Sequence, residues 1–208
     1  MLRFDRAVYP FLAASLAAAV LGGLLSVWLA IPFLGLAAFF LFFFRDPDRA
    51  STATGDVVLS PADGRVLVAG PASPNAAPPG DWLQISIFLS PMNVHVNRVP
   101  VSGRVTKVTY TPGKFLPAYA HDAASANERS EIWIENRGRF VVARQIVGVL
   151  ARRVVCRLTT GAEVTAGDRY GVMKFGSRMD IFLPTTAEIT VTVGANVRAV
   201  ESVIAVLH

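Results

Sequence analysis

The sequence predicts a mainly β domain that follows an apolar helical hairpin. Two observations support this fold class. Residues 7–44 contain no charged side chain. The chain after residue 51 is a series of short runs rich in β-branched residues, separated by Gly, Pro, Asp and Asn. A chain of 208 residues has room for one globular domain beside such a segment. We therefore predict a membrane anchor at residues 1–45 and a β domain at residues 46–208.

The apolar stretch is too long for one comfortable membrane span, which needs about 20 residues, and long enough for two short spans. Two adjacent glycines and Pro32 provide places to turn or kink. We expect a hairpin of helices near residues 7–25 and 27–44; one long tilted span with an interfacial segment is the alternative. A cleaved signal peptide is disfavoured because its apolar part has only about 7–15 residues. Arginines on both flanks favour a cytoplasmic location for both ends.

Beyond the anchor the dominant pattern is that of short β-strands. The predicted strands are 57–59, 66–68, 83–88, 105–110, 131–135, 139–147, 154–158, 171–175, 189–193 and 203–206. The sequence Asn-Arg-Gly at 136–138 predicts a hairpin turn. Residues 71–80 and 112–129 are predicted loops. No long stretch after residue 51 has the periodicity of a helix.

Two turn sequences indicate the kind of β architecture. Residues 63–66 (Asp-Gly-Arg-Val) and 161–168 (Gly-Ala-Glu-Val-Thr-Ala-Gly-Asp) resemble the turns of biotinyl- and lipoyl-type barrel-sandwich hybrids. We therefore expect a compact domain that is barrel-sandwich-hybrid-like.

Composition narrows the possible partners. The net charge of +5 is consistent with a solvated basic surface or with attraction to anionic lipid headgroups, at about 1 kcal/mol per basic residue near the membrane. No basic run has interleaved aromatic residues, so we expect no nucleic-acid partner. The single cysteine, Cys156, excludes an intramolecular disulfide and lies in a strand-like alternation typical of a packed core. Because no Cys or His residues show metal-ligand spacing, we expect no metal.

Three residues together favour self-processing chemistry. Ser177 follows Gly176, and a small residue before a serine leaves the carbonyl open to attack by the hydroxyl and tolerates strained dihedral angles. A serine hydroxyl needs a base. His95, with Asp63 to orient it, would supply that base by the logic of a catalytic triad. Each residue alone is ordinary, because Gly-Ser and Ala-Asp-Gly are common turns and a single strand histidine is commonly packed or solvated.

Several motifs make the chain resemble the phosphatidylserine decarboxylase proenzyme family. They are residues 43–47 (Phe-Phe-Arg-Asp-Pro), 60–64 (Ser-Pro-Ala-Asp-Gly), 89–95 (Leu-Ser-Pro-Met-Asn-Val-His) with the following residues to 100, 112–115 (Pro-Gly-Lys-Phe), 127–129 (Asn-Glu-Arg), 167–169 (Gly-Asp-Arg) and 175–178 (Phe-Gly-Ser-Arg). The Gly-Ser-Arg site resembles the short bacterial and archaeal branch, whereas the longer branch reads Leu-Gly-Ser-Thr.

The resemblance implies that the chain cuts itself between Gly176 and Ser177. The products would be a β chain (1–176) and an α chain (177–208) that remain associated, and Ser177 would become a covalent pyruvoyl group. This group would form a Schiff base with the amine of phosphatidylserine and accept electrons as carbon dioxide leaves. The product would be phosphatidylethanolamine, and the β domain would be the catalytic one.

The resemblance also assigns roles to other residues. Asp63 matches the aspartate of the self-cleavage triad, and His95 matches the first histidine of a pair found in the longer branch. The second histidine falls at Arg98 here. We therefore assign both the self-cleavage base and the proton handling of decarboxylation to His95, with His121 as a possible helper.

Further expectations concern the lipid and its membrane. Lys114, Asn127 and Arg129 are expected either to meet the lipid phosphate or to order their loop. The enzyme would lie on the cytoplasmic face of the cell membrane, with a homodimer possible. Three alternatives stay open: a decarboxylase of the ether lipid archaetidylserine, a structural lipid-binding β domain, and a membrane-tethered carrier, because Met173-Lys174 resembles the Met-Lys of biotinylated hairpins.

Overall fold

The structure is a computed structural model that describes residues 3–120, 122–149, 154–174 and 176–208. The helices are α1 (Tyr9–Leu25), α2 (Val27–Phe43) and α3 (Ala123–Ala126). The strands are β1 (Arg3–Phe4), β2 (Arg45–Asp46), β3 (Val57–Leu59), β4 (Gly64–Pro71), β5 (Trp82–Leu89), β6 (Val96–Arg98), β7 (Gly103–Thr111), β8 (Arg129–Asn136), β9 (Arg139–Val147), β10 (Val154–Cys156), β11 (Glu163–Val164), β12 (Arg169–Met173), β13 (Ser177–Pro184), β14 (Glu188–Ile189), β15 (Asn196–Val197) and β16 (Val203–Val206). The chain separates into two compact units, Met1–Asp48 and Arg49–His208.

The first unit is a helical hairpin. A single residue, Ser26, joins α1 to α2 in an extended conformation, with φ −164° and ψ 137°. The helices run side by side in opposite directions, because the rings of Phe11 and Phe40 lie 5.0 Å apart while a Cβ at Gly22 would lie 3.1 Å from the carbonyl oxygen of Leu29. The predicted hairpin is therefore confirmed, with helix bounds within two residues of those expected.

The surface of the hairpin is apolar. Large side chains such as Leu16, Leu24, Trp28 and Leu34 are exposed along it. The segment Arg6–Leu25 is long and apolar enough to cross a membrane by length and composition, and α2 is a shorter apolar helix. Charged groups lie at the open end of the hairpin, where β1 pairs with β2.

The second unit is mainly β, as predicted. A curled sheet of eight strands has the order β11-β7-β8-β9-β13-β5-β4-β15. Two three-stranded sheets, β10-β12-β6 and β14-β16-β3, accompany it in the described part of the chain. The ladders between these strands are antiparallel. Most predicted strands are present, although the predicted strand at 189–193 is reduced to the two residues of β14.

Strand β13 was not predicted, and it is the strand that organises the site. It pairs with β5 from Ser177 to Pro184 and with β9 from Ser177 to Phe182. Met179 and Ile181 lie in the hydrophobic core, whereas Arg178 and Asp180 alternate with them. Because charged residues are uncommon in buried strands, Arg178 and Asp180 made this strand hard to predict from the sequence. They are compatible with burial because the guanidinium of Arg178 donates to the Asp180 carboxylate at 2.6 Å.

The loop predicted at residues 112–129 contains the short helix α3. A helix of one turn carries almost no periodicity in sequence, so the pattern did not reveal it.

Candidate active site

Ser177 occupies the first position of β13. The residue is fully buried, and its hydroxyl oxygen has no hydrogen-bond partner among the described residues. Gly176, directly before it, has φ +78°, which lies in the left-handed region that glycine adopts without a steric penalty. A buried hydroxyl without a partner costs about 1–3 kcal/mol, and such groups in folded proteins call for a functional explanation.

The carbonyl oxygen of Gly176 is approached closely by a second glycine. Gly148 follows Val147, the β9 partner of Ser177. A Cβ atom at Gly148 would overlap the carbonyl oxygen of Gly176 and would lie 3.3 Å from the Cβ of Ala118. Position 148 therefore requires glycine to leave the Gly176 carbonyl in place. This residue was missed in the sequence, where the only signal is a glycine at the end of an apolar strand.

His95 lies against the backbone N–H of Gly176. It is fully buried, and its backbone carbonyl accepts from the N–H of Met173 at 3.2 Å. The ring Nδ1 lies 2.9 Å from the carbonyl oxygen of Asn93, and the N–H of Gly176 donates to Nε2 at 3.4 Å. These two contacts assign the proton to Nδ1 and a lone pair to Nε2. The structure thus brings His95 and the Gly176–Ser177 segment together.

Asp63 has a different set of partners. Its carboxylate oxygens accept from the two Nη atoms of Arg49 at 2.6 and 2.8 Å, and Oδ1 also accepts from the N–H of Ala199 at 2.9 Å. The side chains of Arg49 and Asp63 are only 8% and 11% exposed. Among the described residues these bonds connect Asp63 to Arg49 and Ala199 and not to the ring of His95. The geometry supports a buried ion pair, and the triad role stays a prediction.

We expect Asp63→Asn and Arg49→Met each to lower the free energy of unfolding by about 3 kcal/mol, because each leaves one buried charge without its partner. The double variant Arg49→Met, Asp63→Asn should be more stable than the sum of the two losses predicts. Thermal unfolding followed by circular dichroism in detergent, in a Ser177→Ala background that keeps one continuous chain, measures this. Strict additivity of the two losses would contradict the ion-pair interpretation.

The residues predicted to meet the lipid phosphate do not form one charged cluster. Asn127 is fully buried and uses its amide to hold the carbonyls of Leu116 and Val147, at 2.8 and 2.9 Å. Arg129 donates to the carbonyl of Ser125 at 2.7 Å; burial and the nearby Arg144 lower the pKa of its guanidinium. Lys114 is exposed. Ordering of the loop therefore has more support than phosphate binding for Asn127 and Arg129.

Two further positions complete the comparison with the sequence predictions. Arg98 is 4% exposed, and its guanidinium donates to the carbonyl of Gly167 at 3.3 Å. His121 lies outside the described residues. No cluster of three or more His, Cys, Asp or Glu side chains that could hold a metal occurs within residues 3–120, 122–149, 154–174 and 176–208.

Comparison with known proteins places this arrangement in a family. The sequence profile described as phosphatidylserine decarboxylase matches residues 36–205. The chain is 47% identical to a phosphatidylserine decarboxylase proenzyme of Prosthecochloris aestuarii, over 82% of this chain and 78% of the relative. It is 48% identical to the proenzyme of Chlorobium chlorochromatii, over 86% and 84% of the two chains. For the proenzyme of Nitrosomonas europaea the identity is 40%, over 96% and 93%.

A profile match across most of the chain, and relatives at 40% to 48% identity over most of both lengths, agree with the motifs found in the sequence. This chain belongs to the phosphatidylserine decarboxylase family.

Proposed function

We propose that this protein decarboxylates phosphatidylserine to phosphatidylethanolamine after it has cut its own chain between Gly176 and Ser177. One observation supports the proposal above the others. The hydroxyl of Ser177 is buried and has no partner within the described part of the chain. It lies beside a glycine in the left-handed region, and the Nε2 of His95 contacts the N–H of that glycine. The names of the relatives, all proenzymes, agree with a chain that matures by cleavage.

The cut requires no oxidant or reductant. The Ser177 Oγ attacks the carbonyl carbon of Gly176, its proton passes to a base, and the C–N bond breaks, so that the peptide becomes an ester with a free amine. Loss of the Cα proton then breaks the Cβ–Oγ bond, which gives a Gly176 carboxylate and a dehydroalanine. Tautomerisation and addition of water release ammonia and leave a pyruvoyl group. We assign the acceptance of this proton to His95, whose Nε2 contacts the neighbouring N–H of Gly176.

The pyruvoyl group fits the residues around Ser177. Because Ser177 heads β13 between Val147 and Leu89, the group would be held at the end of an interior strand in a buried environment. When present it supplies a ketone that condenses with a primary amine and takes up electrons as carbon dioxide leaves. The protein itself excludes water from this position, and His95 holds or delivers the proton that replaces carbon dioxide.

Mass spectrometry of the purified protein tests the proposal directly. We expect a large fragment of residues 1–176 and a small fragment of residues 177–208 whose first residue is blocked as pyruvoyl. Phosphatidylserine should release carbon dioxide, and a parallel assay with archaetidylserine decides between the two lipid backbones. A single intact chain that carries biotin on Lys174 would instead support the carrier alternative, and an intact chain without turnover would support a structural lipid-binding domain.

We also propose that residues 1–45 anchor a catalytic domain of residues 46–208 in the cytoplasmic membrane. The exposed apolar side chains of α1 and α2 and the absence of charge between residues 7 and 44 support this. An anchor would keep the site at the surface where the lipid substrate lies. The placement of arginines on both flanks supports a domain on the cytoplasmic side.

Placing lysine at Leu16 and Leu34 should weaken membrane association, since each charged residue at the centre of a membrane helix costs about 3 kcal/mol. Both leucines are exposed on the hairpin. Cosedimentation with vesicles of phosphatidylglycerol and phosphatidylethanolamine, with Leu16→Ala and Leu34→Ala as the matched control, measures the effect. Equal binding of the lysine and alanine variants would exclude the hairpin as the anchor.

A further inference from the structure

Two buried amides close to Ser177 have unused hydrogen-bonding capacity. The Nε2 of Gln145 donates to the Oδ1 of Asn97 at 2.8 Å, and both residues are fully buried. The Nδ2 of Asn97 and the Oε1 of Gln145 have no partner among the described residues. One donor and one acceptor are thus left over side by side in the interior. Unpartnered buried polar atoms are few in native proteins and call for an explanation.

The strand register places this pair next to the predicted pyruvoyl position. Gln145 on β9 is opposite Met179, and Val147 is opposite Ser177. Since side chains alternate across a strand, Gln145 and Ser177 share one face as diagonal neighbours about 7–8 Å apart. Asn97 lies on β6, two residues after His95. Gly171 makes room for the amide, because a Cβ there would lie 2.6 Å from the Nε2 of Gln145.

A buried carboxylate lies on the same face. Glu128 is 7% exposed. Its carbonyl accepts from the N–H of Val147, so it extends the row that contains Val147 and Ser177. The even-numbered residues of β8, such as Ile132, are buried in the core, and Glu128 continues that face. It lies two strands from Ser177, about 10 Å away.

We propose that Asn97, Gln145 and Glu128 bind the zwitterionic α-amino carboxylate of a seryl headgroup. The amide N–H of Asn97 donates to the substrate carboxylate, while the Oε1 of Gln145 and the carboxylate of Glu128 accept from the substrate ammonium. One unpartnered donor, one unpartnered acceptor and a buried carboxylate match a ligand with one carboxylate and one ammonium. The inference rests on the proposed function and assigns the headgroup site to residues other than Lys114, Asn127 and Arg129.

The test compares two lipids that differ in the carboxylate alone. Phosphatidylserine and phosphatidylethanolamine both carry the primary amine, so cyanoborohydride should trap either lipid on the small fragment as a mass adduct. Asn97→Asp keeps the acceptor for Gln145 but replaces the N–H donor with a negative charge. We expect this variant to be processed normally, to need at least 10-fold more phosphatidylserine for half-maximal turnover and trapping, and to trap phosphatidylethanolamine as the parent does. Glu128→Gln should weaken trapping of both lipids.

Asn136→Asp is the matched control, because it makes the same substitution in the turn at the far end of β8 and β9; it should change neither trapping. If Asn97→Asp is not processed, Asn97→Ala takes its place, since Gln145 retains its bond to the carbonyl of Val155. An equal loss of both lipids in the Asn97 variant, or no loss of either, overturns the inference. Failure of the parent protein to cut itself would instead overturn the proposed function, so the two failures are distinguishable.

Discussion

Ser177→Ala is expected to leave the protein as a single chain of 22.3 kDa without decarboxylase activity. The hydroxyl is the only group of that residue able to form the ester, so its removal stops the cut at the first step. Because the residue is fully buried and its hydroxyl has no partner among residues 3–120, 122–149, 154–174 and 176–208, alanine removes no described hydrogen bond and should not weaken the fold. Denaturing gel electrophoresis and release of carbon dioxide from phosphatidylserine measure the two effects.

Ser130→Ala is the appropriate control, since Ser130 is a buried serine on β8, two strands from Ser177 in the same sheet. The control should be cut and active. Normal turnover by the uncut Ser177→Ala chain would end the proposal of a serine-derived ketone.

His95→Ala should slow self-cleavage by about 10²- to 10⁴-fold, the usual contribution of a positioned general base. The reason is geometric, because the lone pair of Nε2 faces the N–H of Gly176 at 3.4 Å while Nδ1 is held by the carbonyl of Asn93. The fraction of cut chain as a function of time after synthesis gives the rate. His95→Gln should also be slow, since an amide can accept the Gly176 N–H but is a poor base.

The control is His208→Gln, at an exposed histidine that contacts Glu188 and belongs to no described part of the site. It should be cut at the parent rate. If the alanine variant at position 95 is cut as fast as the parent and turns over normally, both roles assigned to this histidine are wrong.

The hairpin was predictable because its cause is local. A stretch without charge from residue 7 to 44, with a glycine pair near its middle, has few alternatives to two apolar helices. Strands such as β9 were predictable for the same reason, since β-branched and apolar residues predominate between turn residues. Ser177, Gly176 and His95 were predicted as site residues because they stand in short motifs typical of the chemistry that they are expected to perform.

Contacts between distant segments were not predictable from these patterns. The partner of Asp63 is Arg49, in the segment that follows the anchor, and nothing in the local sequence distinguishes this arginine from a solvated one. The role of Gly148 depends on the backbone of Gly176 arriving against it, and that approach exists only once β9 and β13 have paired. The sequence left open whether Asn127 meets the lipid phosphate or orders its loop. Its bonds to the carbonyls of Leu116 and Val147, which join distant segments, are visible only in the fold.

The proposed cut between Gly176 and Ser177 would fall at the head of an interior strand. Residues 177–208 contribute β13 between β9 and β5, β15 beside β4, and β16 beside β3. Breaking one peptide bond ahead of this segment leaves all of those ladders intact, and Cys156, the sole cysteine, cannot tether the pieces. The proposed fragment of residues 177–208 would therefore stay paired with the larger fragment, should comigrate with it on native gels and should separate from it only in denaturant. The proposed ketone would then act at the position where it formed.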